Sequence, residues 1–326
     1  MKPGTTEFRK ALLSSLEKES RERSLGPVFI DSEVWASRNT IVYRCRIGDR
    51  RAVAKAQSTK PGEVVEAEYH MLLDMADKFR DRSSRGLRPL ALFPELGVLV
   101  TEEENGTPLR ALVETACQGS KRAWVDAASG VESAAKALRR FHDAFGERSD
   151  PDSKNEAVVR WYMDYSPKNV LVQSVALESE EPHVVLMDPP EKEEWRPRTE
   201  DIGGFCYDMT RIRFLPRFIW KPSVSGKIDW FKAKFIRGYF QMEHERFGAT
   251  VLERIKEAEY RRATQALRWY MRPWRYRSVL KETLRLCYLG PLTAGYRASG
   301  IHKSHANVRR LLDSNGETEW QPSLDS

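Results

Sequence analysis

The 326-residue chain has no apolar run near the roughly 20 residues that a membrane-spanning helix needs, so no transmembrane segment is expected. Its opening, MKPGTTEFRKALLSSLEKESRERS, carries too many charges for the apolar region of a secretory signal. Both absences point to the cytoplasm. Cysteine is scarce: Cys45, Cys117, Cys206 and Cys287 lie far apart, with no C-x-x-C pair and no histidines at zinc-ligand spacing. That excludes a recognisable zinc module and leaves four reduced thiols as the expectation. His302 and His305 lack a convincing third ligand. Internal repeats and low-complexity tracts are also missing, which excludes repeat and disordered classes.

What remains is a foldable composition, 31% charged and 40% hydrophobic, long enough for one large or two medium domains. Lys and Arg number 54 against 47 Asp and Glu, a net charge of +7. The surplus is uneven, since residues 251–310 hold 14 basic against 4 acidic side chains, with aromatics interleaved in RWYMRPWRYR at 268–277. A helical face with snorkelling arginines accounts for this, as does contact with something anionic.

Residues 5–23 predict an amphipathic helix carrying Phe8, Leu12, Leu13 and Leu16. VFIDSEVW, TIVYRCRI and RRAVAKA then read as three strands of an antiparallel meander, with GDR as a turn. Lys60-Pro61-Gly62 opens a helix whose apolar positions include Val64, Val65, Met71, Leu72, Met75 and Phe79. The polar stretch 81–86 reads as a loop, followed by strands LRPLALF and LGVLVTE and then a charged EEENGTP segment that could be a solvated linker. From 108 the pattern turns helical, over 108–117 and 122–146. NVLVQSVAL and HVVLMD make a small β island, helices fill most of the rest, and 313–326 is expected as a loose tail. The sum is an α+β, bilobal chain: a small antiparallel sheet with one main helix, then a larger, mainly helical lobe.

The chemistry concentrates in Tyr162-Met163-Asp164-Tyr165-Ser166-Pro167-Lys168-Asn169, which runs directly into the apolar VLV. An Asp and an Asn five positions apart on one tight loop can supply a carboxylate for a hydroxyl proton and an amide oxygen for a metal. Nineteen residues after Asn169, HVVLM delivers Asp188 at a strand end, where a hairpin would return it beside that loop. Two carboxylates and an amide suit an oxygen-ligated Mg2+ used with phosphates. Lys55 stands on a strand, and the next helix offers Glu66 and Glu68 as partners. A strand lysine held by a helical glutamate positions phosphate oxygens in kinases. Glu68 shares a stripe with Val64, Val65, Met71, Leu72 and Met75 and is favoured; Glu66 stays open. Lys168, four residues after Asp164, is expected to neutralise charge on the transferring group. His142 is expected to line the core and hydrogen-bond the loop, with Asp201 and Asp208 accepting backbone N–H bonds nearby.

In order and spacing, SRNTIVYRCRIGDRRAVAKA, LGVLVTEEENGTPL, ALRRFHDAF, DYSPKNVLV and HVVLMDPPE resemble the aminoglycoside phosphotransferase/choline kinase-like family, which has the protein-kinase-like fold. The resemblance covers about residues 27–210, with DYSPKNVLV its most specific part. It implies a nucleotide-binding N-terminal lobe over 1–104 and a C-terminal lobe over 105–326 with the catalytic loop and acceptor site. Asp164 would be the catalytic base, Asn169 and Asp188 the Mg2+ ligands and Lys55 the phosphate-positioning lysine. Glu102, Glu103 and Glu104 would form the hinge whose backbone meets the adenine of ATP. Three features depart from the family pattern. Tyr162-Met163 replaces the usual His-Gly, Pro189-Pro190 follows Asp188 where Asp-Phe-Gly would stand, and the loop Ala36-Ser37-Arg38-Asn39-Thr40 has no glycine. Phosphate contact there would use backbone N–H groups, or the Ser37 and Arg38 side chains.

These residues point to ATP-dependent transfer of a phosphoryl group to a hydroxyl of a small molecule. A basic C-terminal third argues against polycationic aminoglycosides and toward a sugar or saccharide conjugate, anionic or lipid-linked. Peripheral contact with an anionic membrane surface, at the inner face, is the accompanying expectation. Nucleic acid is not expected, because no binding module accompanies the charge. The rival readings are a protein kinase, disfavoured without Asp-Phe-Gly and Ala-Pro-Glu, and a non-catalytic nucleotide-binding protein on the same fold.

Overall fold

The computed structural model describes residues 3–36, 40–57, 61–79, 84–148, 158–173, 182–190, 192–240, 249–270 and 285–314. The chain divides into two units, Met1–Gly106 with Val185–Glu193, and Thr107–Val184 with Glu194–Ser326. Residues 185–193, which carry Asp188, thus group with the first unit although they lie far along the chain. No helix among the described residues is long and apolar enough to cross a membrane.

In the first unit α1 (Thr6–Glu22) precedes β1 (Val28–Ala36), β2 (Thr40–Ile47), β3 (Arg50–Gln57), α2 (Pro61–Lys78), β4 (Ser84–Gly86), β5 (Pro89–Phe93) and β6 (Val98–Glu102). Five strands form an antiparallel sheet in the order β1-β2-β3-β6-β5, with the expected meander as its first three. Thr5 caps α1 by accepting the Phe8 N–H at 3.2 Å. Phe8, Leu12 and Leu16 then pack into one cluster with Ala52, Ala54 and Ala56 of β3. Each of the three large side chains contributes roughly 1.5–3 kcal/mol by leaving water. At the β2–β3 turn Gly48 has φ 60°, and a Cβ there would stand 1.9 Å from the Leu25 carbonyl oxygen, so only glycine fits. Of the loop expected over 81–86, residues 81–83 lie outside the described residues and 84–86 needs correction. Ser84 and Gly86 are buried with Gly86 against Leu72 and Met75 of α2, while Arg85 faces out, so a polar composition hides a short strand.

The second unit contains β7 (Thr107–Pro108), α3 (Leu109–Cys117), α4 (Lys121–Phe145), β8 (Glu147–Arg148), β9 (Val158–Arg160), β10 (Val170–Gln173), β11 (His183–Leu186, which runs on into the first unit) and β12 (Trp195–Pro197). The helices α5 (Thr199–Thr210), α6 (Pro222–Phe240), α7 (Ala249–Tyr270), α8 (Gly290–Gly295) and α9 (Ile301–Asp313) follow. Strands β8, β9 and β12 form a small antiparallel sheet in the order β12-β9-β8. At two or three residues each they are too short for an alternation signal, and the sequence reading missed them. Ser120 caps α4, whose buried face includes Ala127, Val131, Leu138 and Phe141. Helices α5 and α7 meet at Gly203, where a Cβ would lie 2.5 Å from Ala258 Cβ and 2.8 Å from the Glu259 nitrogen. Of the expected tail, 315–326 lies outside the described residues, as do 271–277 of the aromatic basic segment and 174–177 of the expected strand NVLVQSVAL.

The core of this unit holds a polar network that the sequence did not announce. The fully buried Lys232 ammonium lies 2.9 Å from Glu259 Oε1 and from Ser304 Oγ, and 3.2 Å from Tyr296 Oη. Glu259 Oε2 lies 2.8 Å from His305 Nε2. Burial alone would raise the Glu259 carboxyl, but Lys232 and His305 outweigh it and hold it down to about 2. His305 is therefore a network member here. Among the described residues no group of three or more His, Cys, Asp or Glu could hold a metal ion. Cys45, Cys117, Cys206 and Cys287 are all free thiols, and burial pushes Cys45 and Cys117 up to about 12.

Candidate active site

In the first unit, strand alternation decides where Lys55 points. Ala54 and Ala56 face the α1 cluster, so Lys55 between them faces the opposite side of β3, at the centre of the sheet between Val42 of β2 and Leu99 of β6. There its ammonium donates to Glu68 Oε1 at 2.7 Å and to Asp188 Oδ1 at 3.0 Å. Glu68 is buried, whereas Glu66 is exposed on another face of α2. Burial pulls the Lys55 ammonium down, but the charges of Glu68 and Asp188 outweigh it and raise its pKa above the ordinary lysine value. Asp188 has φ 48°, a left-handed conformation that aspartate tolerates better than most residues.

The acidic run after β6 is not a solvated linker. Arg44 binds Glu103 at 2.7 Å, Arg85 binds Glu104 at 2.7 Å, and Arg88 lies 3.6 Å from Glu102. The N–H groups of Glu102 and Glu103 are already donated to the carbonyls of Arg88 and Arg51. Ser37 and Arg38 lie outside the described residues.

In the second unit, β9 leads through Trp161 into the loop. The Trp161 N–H donates to the Glu194 carbonyl, extending the β9–β12 pairing by one bond. Asp164 N–H then closes a three-residue turn onto the Tyr162 carbonyl at 2.9 Å, with Met163 at its centre at φ 68°. A long side chain in the left-handed region is strained. Neighbours hold it: buried Asp201 accepts the Tyr162 N–H at 2.9 Å and contacts His142 Nε2 at 3.1 Å, and His142 Nδ1 lies 2.6 Å from Tyr239 Oη. His142 thus supports the loop through Asp201. Asp208 pairs with Arg211 at 3.1 Å.

The Asp164 carboxylate gathers three donors. Asn169 Nδ2 donates to its main-chain oxygen and to Oδ2, both at 3.0 Å, and Lys168 Nζ donates to Oδ2 at 2.9 Å. Arg262 of α7 donates to Oδ1 at 3.0 Å. With its amide nitrogen committed, Asn169 presents Oδ1 as its remaining polar atom. Asp188, in the first unit, likewise keeps Oδ2 once Oδ1 meets Lys55. Each is, within its own unit, a hard oxygen donor of the kind Mg2+ takes.

Beside the loop is a pocket lined in part by Trp161, Met163, Arg196, Glu200, Arg262 and Gln265. Arg196, Glu200, Arg262 and Gln265 are not singled out in the sequence, unlike Asp201, which also lines the pocket. Arg262 stands 98 residues after Asp164 among many other arginines, and only the packing of α7 on α5 identifies it.

No family model matches the sequence, and no curated protein matches it. Among solved structures, aminoglycoside phosphotransferase APH(4)-Ia is similar over 89% of this chain and 99% of its own, at 11% identity and a TM-score of 0.50. A thermostable mutant of that enzyme, in a ternary complex with AMP-PNP and hygromycin B, aligns over 89% and 98% at 12% identity and a TM-score of 0.50. An ethanolamine kinase of Plasmodium vivax aligns over 82% and 84% at 11% identity, with a TM-score of 0.44. At such identities the likeness to APH(4)-Ia shows the fold: the protein-kinase-like α+β architecture, with a small sheet-containing N-terminal lobe and a larger helical C-terminal lobe.

Proposed function

We propose that the chain is an ATP-dependent phosphotransferase, related to the aminoglycoside phosphotransferase and choline kinase-like enzymes, that moves the γ-phosphoryl group to a hydroxyl of a small molecule. A sugar or saccharide conjugate is the acceptor class that the composition favours. The observation that carries the reading is the loop in which Asn169 bonds both the main chain and the carboxylate of Asp164. Supporting it are the Lys55, Glu68 and Asp188 group and the complex of a similarly folded enzyme with AMP-PNP.

In this reading Lys55, held by Glu68, binds phosphate oxygens of the nucleotide as a fixed point charge. The backbone near Glu102, Glu103 and Glu104 meets the adenine, and Ser37 and Arg38 approach the phosphates. Asn169 and Asp188 would hold Mg2+, which when bound neutralises phosphate charge. Asp164 orients the acceptor hydroxyl and takes its proton as the new bond from oxygen to the γ-phosphorus forms. The bond from that phosphorus to the bridging oxygen breaks, and ADP leaves. Lys168 neutralises charge on the equatorial oxygens, so a Lys168→Met enzyme turns over more slowly. The protein works in the cytoplasm, with peripheral contact at an anionic membrane surface as an accompanying role for its basic C-terminal third.

An Asp164→Asn variant tests this. It is expected to retain nucleotide binding by titration and to lose transfer of phosphate to compounds in a metabolite extract, read as ATP-dependent mass gain. Unaltered turnover would falsify the mechanism.

A further inference from the structure

Arg262 connects Asp164 to the neighbouring pocket. Its Nη2 donates to Asp164 Oδ1 at 3.0 Å and stands 4.0 Å from Asp208 Oδ2. Nε and Nη1 make no hydrogen bond or ion pair to the described residues, and the side chain is about one-third exposed. A guanidinium carries five N–H donors, so most of this one is available to the pocket it lines. Asp164 Oδ2 already accepts from Lys168 and Asn169, which makes Oδ1 the oxygen with capacity left for a hydroxyl. Arg262 competes for that oxygen.

The other charges around the pocket are matched differently. Glu200 is paired with Arg261 at 2.6 Å, and Asp201 is committed to His142 and the Tyr162 N–H. Arg196, a second guanidinium on the pocket wall, stacks over Trp161 at 4.7 Å and meets Glu194 in an exposed pair at 3.0 Å, a contact of small energetic weight. The acids are engaged by partners of their own, while two planar guanidinium groups line one pocket beside a loop carboxylate. Paired arginines are suited to bidentate binding of a carboxylate or phosphate.

We propose that this pocket is an acceptor subsite for a hydroxyl compound carrying an anionic group, and that the anion draws Arg262 off Asp164, freeing Oδ1 only when such an acceptor is bound. The inference rests on the phosphotransfer reading for the role of Asp164, but the anion selectivity of the pocket does not depend on it. Arg262 is thereby a specificity-determining residue, and it restrains the base while the pocket is empty.

The test is calorimetric titration of the full chain with D-glucose, D-glucuronate, D-glucose 6-phosphate and inorganic phosphate, on wild type and on Arg262→Gln, Arg262→Lys and Arg196→Gln. Wild type is expected to bind glucuronate or glucose 6-phosphate at least tenfold more tightly than glucose, and the stronger of the two identifies a carboxylate or a phosphate as the recognised group. Arg262→Gln and Arg196→Gln should each erase most of that preference, and Arg262→Lys should keep part of it. A second readout is ATP hydrolysis without acceptor, which should rise several-fold in Arg262→Gln as the base is released. Equal binding of neutral and charged probes by wild type, or a preference that survives in both Gln variants, would overturn the subsite. Anion preference without any nucleotide turnover in wild type would overturn the phosphotransfer reading and the release step, leaving the pocket's selectivity standing.

Discussion

The Lys55 ammonium lies 2.7 Å from Glu68 Oε1, with the lysine side chain 22% exposed and the glutamate 2%. Removing the Glu68 charge leaves the half-buried ammonium with Asp188 as its remaining partner. Glu68→Gln is therefore expected to cost about 1.5 kcal/mol in urea unfolding and to weaken nucleotide binding. Glu66→Gln, on the exposed face, should stay within about 0.5 kcal/mol of wild type. Equal effects at the two positions would contradict the assignment of Glu68.

Asp201 holds the loop from behind. Asp201→Ala leaves the Tyr162 N–H and the His142 ring without their acceptor, at a cost of about 3 kcal/mol. In the proposed reaction it should lower kcat while the KM for nucleotide stays unchanged. Asp201→Asn, which keeps one acceptor oxygen, should recover part of both losses.

Met163 sits at φ 68°, where a side chain costs roughly 1–2 kcal/mol and glycine costs little. Met163→Gly is expected to be more stable than Met163→Ala by about 1 kcal/mol in thermal unfolding, since alanine keeps the strain without the packing. The reverse order would mean that the left-handed turn is not populated in solution.

Glu259 makes stability depend on acid pH. Its folded pKa, held down to about 2, lies below the unfolded value of roughly 4.3, so the folded state binds its proton less readily. The stabilisation is present in full above roughly pH 4.5 and is lost as the pH falls from there toward 2, amounting to about 3 kcal/mol in total. Glu259→Gln should be less stable at neutral pH and should show a shallower loss over that window. An identical pH profile for the two proteins would rule out this source of acid sensitivity.

Gly203 sets how closely α7, and with it Arg262, approaches α5. Gly203→Ala must displace α7 by several tenths of an ångström, at a cost of about 2 kcal/mol. A stability unchanged from wild type would show that the helices can separate freely.

The main helices and the five-stranded sheet were legible because their signals are local. Phe8, Leu12 and Leu16 recur at helical spacing, and Ala52, Ala54 and Ala56 alternate along β3. The same alternation turned Lys55 away from that cluster, and the stripe shared with Val65, Met71 and Leu72 turned Glu68 inward. Strands β4, β8, β9 and β12 escaped notice because two or three residues carry no period, and their register comes from neighbours distant in the chain.

The sequence by itself determined the fold class, the order of the main elements and the loop that joins Asp164 to Asn169, because apolar periodicity and short-range spacing are written in consecutive residues. Only the tertiary structure decided that Arg262 bonds Asp164, that His142 reaches the loop through Asp201, and that Lys232 and Glu259 neutralise each other in the core. Those pairings depend on how closely helices pack, and a basic residue 98 positions away bears no local mark of the carboxylate it will meet.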